Sequence, residues 1–343
     1  VEKHCESLYT EFPAEYRFVI FRRKPYVRVT PSYPNITFID LPSTKIKGFE
    51  AVYHSFLSTC RAVLSRPDIV HIHNIGPALF SPLLKLCGIK VVLTYHSPNY
   101  EHKKWGWGVR TLLKWSEKIA LRMSDAVIFV NKFQLEKYDE RTRSKSYYIP
   151  NGIPRITPAT QQNYIRELGL TPGKYVLGVG RIPPEKGFDC LEKAFAGVDT
   201  DYKLVIAGGV ETESAYLDEL KSILPPEKIV FTGYVYGEKL NQLYTHAGLY
   251  VLSSYNEGFP LVLLEAMSYG LDVLVSDIPA SHLVDLPADD YFSKGDYEEL
   301  ARKIERKLKY PRQQKYELEA YDWTAIVKRL AAVYDKLNGR KQV

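Results

Sequence analysis

The stretch YIPNGIPRITP, residues 148–158, places three prolines and a glycine within eleven positions and divides two runs of one pattern. Upstream, short β-rich segments appear at RFVIF (17–21), ITFI (36–39), DIVHI (68–72), KVVLTY (90–95), AVIFV (126–130) and SYYI (146–149). Segments of helical length at 48–64, 76–87 and 109–123 separate most of them. Downstream the pattern restarts, with strands expected at YVLGV (175–179), YKLVIA (202–207), KIVFTG (228–233), LYVLS (249–253) and DVLVS (272–276). Such alternation predicts parallel sheets with helices on both faces. Two such units on a Pro-rich linker predict an α/β chain of two Rossmann-like domains facing a cleft. The expected boundaries are 1–154 and 155–322, with a helix in 323–343 (around WTAIVKRLAAVYDKL, 323–337) packing back toward the first domain.

With 343 residues, 45% hydrophobic and 25% charged, the chain has the composition of a globular protein large enough for two domains. The net charge of +6 permits contact with phosphate, nucleic acid or anionic lipid without selecting among them. Cys5, Cys60, Cys87 and Cys190 are scattered, with no paired spacing for zinc or redox chemistry. That usage suits a reducing compartment, and a cytoplasmic location is expected. No run approaches the roughly 18 apolar residues of a membrane span.

In open α/β sheets, ligands sit beyond the carboxyl ends of the strands. After the segment 175–179 comes GRIPPEKG (180–187), which puts Arg181 and Lys186 on a loop leading into a helix near Gly187. Two cations beside a helix N-terminus make a diphosphate clamp; taken alone they read equally as solvated loop charges. No dinucleotide fingerprint or Walker-type loop is present. EGFPLVLLE (257–265) carries a glutamate at each end of an apolar run. Pro260 suits the first position of a helix and Gly270 the residue past its last turn. Leu261–Leu264, Ala266 and Met267 are apolar on every side, which predicts a buried helix. An unpaired Glu265 there would cost roughly several kcal/mol, so it needs a basic side chain or a polar ligand. Glu257 lies just ahead of the helix, beside N–H groups that favour anions. Glycoside hydrolysis needs carboxyls roughly 5 to 9.5 Å apart. Eight helical residues separate the two backbones by about 12 Å, which argues against that use.

His96 stands at the end of KVVLTY, and His71 and His73 share one strand face. The three can be drawn as zinc ligands. No further ligand or carboxylate sits at a telling spacing, however, so His71 reads as a buried, satisfied histidine and His73 as a residue bordering an acceptor. Asp199 and Asp201 form a DTD triplet of metal–diphosphate type, but in a turn before a strand.

The pieces DIVHIHN, LTYHSPN, SDAVIFVNK, YIPNGI, GRIPPEKGFD, VIAGG, FTGYV and EGFPLVLLEAMSYG occur in one order along nearly the whole chain. In that order they resemble the retaining GT-B glycosyltransferases of family 4, and Glu257 with Glu265 matches that family's E-x7-E motif. The resemblance implies a GT-B fold and retaining transfer from a nucleotide-diphosphate sugar to a glycan or lipid-linked acceptor, in bacterial surface polysaccharide assembly. It implies that Glu257 touches the donor sugar hydroxyls and Glu265 the ribose. Arg181 and Lys186 would hold the diphosphate, Gly258, Phe259, Pro260 and Leu261 would approach sugar and phosphate, and His96 would lie by the reacting sugar, with His73 on the acceptor side. The cationic side chains stand in for a metal, so neither metal nor cofactor is expected, nor a nucleic-acid partner. Family members begin with a strand and a glycine-rich loop. VEKHCESLYTEF matches the helix after that loop, so a first strand and loop are expected to be missing here.

Two other classes remain open: a nucleotide-sugar epimerase of GT-B fold, and a non-catalytic two-domain binding protein. EHKKWGWGVRTLLKWSEK (101–118) holds Trp105, Trp107 and Trp115 among lysines. It reads equally as contact with an anionic surface on the inner face of the cell membrane and as rings packed against the first domain beside solvated lysines. On a helix from 109, Leu112, Leu113, Ile119, Ala120 and Met123 are expected to face the core and Trp115 to fall off that face.

Overall fold

A computed structural model describes residues 2–27, 30–44, 46, 49–98, 100, 106–153, 155–210 and 215–339. The chain divides into two compact units, Val1–Pro154 with Glu319–Val343, and Arg155–Leu318.

In the first unit β1 (Phe18–Arg23) pairs in parallel with β2 (Ile36–Leu41). A separate parallel sheet runs in the order β3 (Ile69–His73), β4 (Lys90–Tyr95), β5 (Ala126–Phe129) and β6 (Ser146–Tyr148). β4 is buried from Val91 to Tyr95, the pattern of a strand covered on both faces. The pleat divides its residues between two cores. Val91, Leu93, Tyr95, Val127 and Phe129 pack with Ala62, Leu84, Ala120 and Leu121 of the helices Phe49–Ser65, Ser81–Leu86 and Trp107–Met123. Val92, Ala126 and Ile128 pack on the other side with Leu8 and Tyr9 of the helix Glu2–Thr10, and with Ile326, Leu330 and Tyr334 of the helix Trp323–Asn338. The C-terminal helix therefore completes the sandwich of the first unit. Gly152 makes room for it, since a Cβ there would lie 2.5 Å from the Trp323 ring.

Two helical expectations need correction. Residues 76–87 form a 3-10 turn, Pro77–Phe80, followed by the helix Ser81–Leu86, because Pro82 supplies no N–H to continue from the turn. The helix Trp107–Met123 starts two residues early, and Leu112 is exposed instead of facing the core. The core face is Ser116, Glu117, Ala120 and Leu121. Ser116 donates to the Ile75 carbonyl, and Glu117 accepts from Tyr95 and Tyr138, so these polar residues are buried without loss.

The second unit is one parallel sheet in the order β12 (Tyr291–Phe292), β11 (Val273–Ser276), β10 (Leu249–Leu252), β7 (Tyr175–Val179), β8 (Lys203–Ala207) and β9 (Ile229–Gly233). Chain order reverses between β7 and β10, the switch point of a doubly wound sheet. β12 escapes sequence reading because two residues show no periodicity. In the helix Phe188–Ala196, Glu192 is fully buried, with no hydrogen-bond partner for either carboxylate oxygen among the described residues. Burial raises its carboxyl to about 8, so it is neutral at pH 7. Among the described residues no helix is long and apolar enough to cross a membrane.

Candidate functional site

In the second unit the sheet order makes the site. Arg181 and Lys186 follow β7, Glu257 follows β10, and these strands are neighbours. Their loops are stitched together: the Tyr255 N–H donates to the Glu185 carbonyl at 2.8 Å and the Ser253 hydroxyl to the Lys186 carbonyl at 3.1 Å. Gly187 sits at φ +63, and a Cβ there would lie 2.1 Å from the Ser253 carbonyl oxygen, so only glycine permits this approach. As a result Lys186 Nζ reaches Glu257 Oε1 at 2.5 Å, with the two side chains 18% and 10% exposed. The Ser254 hydroxyl donates to the same oxygen at 2.7 Å, and Ser254 is tied in turn through its carbonyl to Ser276. Sequence reading gave Lys186 and Glu257 separate tasks; the structure joins them in an ion pair. Arg181 is exposed on the same loop.

The E-x7-E helix is Leu261–Ser268, and it departs from expectation in three ways. Pro260 precedes it as the N-cap, with φ −82 and ψ 77, the shape of an inverse γ-turn. The Leu261 N–H accordingly donates to the Phe259 carbonyl at 3.0 Å and is already used, which removes it from the amides expected to meet a ligand. The helix is also not buried all round: Leu263, Leu264, Ala266 and Met267 are buried, but Leu261 is exposed and Glu265 half-buried on the same face, four residues apart. Glu265 accepts a hydrogen bond from the Tyr244 hydroxyl at 3.0 Å. Gly270, at φ +70, ends the helix as anticipated. Asp201 of the DTD triplet pairs with Lys174 at 3.2 Å.

In the first unit four histidines gather. His71 and His73 on β3 stack with ring centres 4.4 Å apart, and His96 follows β4. Both nitrogens of His71 are engaged, Nδ1 by the hydroxyls of Tyr334 (2.5 Å) and Tyr9 (3.0 Å), Nε2 by Thr94 Oγ1 (2.7 Å). His71 is thus the satisfied histidine of the sequence reading and no zinc ligand. His73 Nδ1 lies 3.2 Å from His96 Nε2, and its Nε2 lies 2.7 Å from the Tyr9 hydroxyl. The fourth member is His4, with ring centres 5.5 Å from His73 and 5.0 Å from His96. Sequence reading missed it, since no spacing rule links the first helix to β3. Burial lowers His71 to about 3 and His4 to about 4, and holds His73 and His96 well below their ordinary value, so all four are neutral at pH 7. A cavity of about 550 Å³ adjoins them, lined by Phe18, Ile20, Ile69, His71, His73 and Tyr334 among others. Of the basic aromatic stretch, Lys103, Lys104 and Trp105 lie outside the described residues, while Trp107 and Trp115 are 84% and 66% exposed.

A family model described as "Glycosyl transferases group 1" matches residues 160–323, and one described as "Glycosyltransferase Family 4" matches residues 1–155. Among solved structures, sucrose-phosphate synthase from Thermosynechococcus elongatus aligns with a TM-score of 0.80 at 21% identity, over 98% of this chain and 92% of that one. The chain has the GT-B glycosyltransferase fold. Anabaena HepE, solved in complex with UDP, shares this GT-B fold with a TM-score of 0.72 at 16% identity, over 93% of this chain and 100% of that one. Sulfoquinovosyl transferase SQD2 of Arabidopsis thaliana is 27% identical over 301 residues, 77% of this chain and 56% of that protein. The GT-B chain therefore spans just over half the length of that curated relative.

Proposed function

We propose that this chain transfers a sugar from a nucleotide-diphosphate donor, with retention of configuration, to a glycan or lipid-linked acceptor, in the assembly of a bacterial surface polysaccharide. The observation that carries this reading is the convergence of Arg181, Lys186 and Glu257 at the switch point between β7 and β10, where doubly wound sheets bind ligands. Breaking the anomeric bond puts negative charge on the departing diphosphate. Arg181, Lys186 and the N-terminus of the helix Leu261–Ser268 neutralise it, a role a metal fills elsewhere. Glu257 orients the sugar hydroxyls, and Glu265 on the open helix face takes the ribose hydroxyls. The acceptor hydroxyl attacks from the face the diphosphate leaves, and a phosphate oxygen takes its proton. Two likenesses support the nucleotide-sugar part of this reading: the structural neighbour HepE, solved in complex with UDP, and the relative named as a sulfoquinovosyl transferase.

A panel of nucleotide sugars, each with and without lipid and glycan acceptors in excess EDTA, tests it. Transfer that needs an acceptor and survives EDTA supports it. Donor conversion without acceptor indicates an epimerase, binding without turnover a binding protein, and loss restored by a divalent ion a metal-dependent clamp. Within this reading the two glutamates separate. Glu257→Gln is expected to lower turnover chiefly, and Glu265→Gln to weaken the donor and the free nucleotide alike, because ribose is common to both. Undiminished nucleotide affinity of the Glu265 variant by calorimetry would return that residue to a structural partner of Tyr244.

A second element of the proposal is an anionic membrane surface as partner, on the cytoplasmic side. Trp107, Leu112 and Trp115 are exposed on one helix beside the exposed Lys114 and Lys118, an apolar strip with cations that complements anionic headgroups. Binding to phosphatidylglycerol-containing liposomes is expected at low salt, with release as salt screens the charges. The combined Trp107→Ser, Leu112→Ser and Trp115→Ser variant should lose it. Equal sedimentation of parent and variant would remove the membrane from the reading.

A further inference from the structure

His4, His73 and His96 converge on one point within the first unit, each offering a nitrogen within 4.8 Å of the other two. The nearest pair, His73 Nδ1 and His96 Nε2, is 3.2 Å apart. Two imidazole nitrogens on one tetrahedral zinc, each at about 2.05 Å, stand about 3.4 Å from each other. That pair is already at chelating separation. Among the described residues His4 Nδ1 is buried with no hydrogen-bond partner, an orphaned lone pair or N–H beside the other two rings. We propose that His4, His73 and His96 bind one divalent transition-metal ion of the zinc class, with a fourth position open.

Two further observations support the assignment. The donors are all imidazole, which suits zinc, nickel, cobalt or copper and not the oxygen-seeking magnesium or calcium. The ring nitrogen of His73 facing away from the pair is held at 2.7 Å by the Tyr9 hydroxyl. Tyr9 can accept the His73 Nε2–H and donate its own proton to the Tyr334 hydroxyl, which in turn donates to His71 Nδ1 at 2.5 Å, while His71 Nε2 engages Thr94. That chain leaves His73 Nδ1 bare for a metal, and such outer partners are what orient histidine ligands. Without an ion, His96 and His73 share one hydrogen bond and His4 Nδ1 stays unsatisfied, a costly arrangement for a buried polar atom.

The site goes beyond the proposed transfer reaction and is separable from it. Arg181 and Lys186, in the second unit, carry the charge of the diphosphate without it. The experiment uses the untagged full chain, stripped with a chelator and titrated with zinc chloride against a chromophoric competitor. Zinc is counted by mass spectrometry after desalting. One zinc per chain is expected. His4→Ala should lower the affinity by about a hundredfold and Tyr9→Phe, which keeps the core volume, by roughly 10- to 100-fold. Circular dichroism confirms that each variant is folded. No zinc retained by the parent would overturn the proposal. So would equal retention by His4→Ala and Tyr9→Phe, or loss on Cys5→Ser alone, which would move the ion to a thiol. Since binding is read without turnover, an inactive parent would count against the transferase reading and leave this result standing.

Discussion

Lys186→Ala lowers kcat/KM for sugar transfer by about 10²–10³, the expected loss when one preorganised charge at a departing oxyanion is removed. Two consequences act together. The diphosphate loses a cation held in a semi-buried place where screening by salt is weak. Glu257 loses the ion pair that positions it and retains the hydrogen bond from Ser254, so the sugar is also less well oriented. Arg181→Ala acts in the same direction but less strongly, since that side chain is exposed and its field is screened. Both residues stand on a loop outside the core of β7 and β10, so far-UV circular dichroism should match the parent. Steady-state kinetics with both variants within threefold of wild type would remove the phosphate clamp from the proposal.

Lys307→Ala is expected to cost about 3–5 kcal/mol of stability in the second unit, or roughly 10 °C in Tm. Lys307 Nζ lies 2.5 Å from Asp272 and 2.7 Å from Asp290, all three side chains being buried between the last helix of that unit and β11. One cation serves two carboxylates. Removing it leaves both in a low-dielectric place with no counter-charge, which is far worse than replacing the whole cluster with apolar residues. The pH dependence has a definite sign. Burial already holds the Asp290 carboxyl above its ordinary range, and loss of Lys307 raises it further. A carboxyl with a raised folded-state pKa stabilises the fold when protonated and loses that contribution as pH rises. The deficit of the variant should therefore be smaller at pH 5 than at pH 8. Calorimetry resolving the two units reads it; a deficit equal at both pH values would place the carboxylates outside the effect. The exposed Arg143–Glu140 pair offers a contrast, since Arg143→Ala should leave Tm unchanged.

Local pattern carried a large part of this protein. Periodicity placed eleven of the strands near their observed positions, because buried parallel strands are continuous apolar runs that end at turn residues. The proline-rich break at 148–158 falls where the first unit gives way to the second, since prolines fix the chain and deny it helix and sheet alike. Glu257, Glu265, Arg181 and Lys186 were readable as candidates from the order of their motifs. Their mutual arrangement was not. Lys186 and Glu257 are 71 residues apart and meet only because β7 and β10 are neighbours, and strand order is a property of the assembled sheet. The same limit hid His4, which the packing of the first helix against β4 and the C-terminal helix brings to His73 and His96. It also hid Tyr244 as the partner of Glu265. Apolar spacing misassigned Leu112 for a related reason. Hydrophobicity ranks residues one at a time, but Ser116 and Glu117 are buried because Ile75, Tyr95 and Tyr138 satisfy them, and those partners come from other elements. Strands, breaks and motif residues follow from neighbours along the chain. Pairings between charges, rings and hydroxyls follow from neighbours in space, which exist only once the sheets have formed.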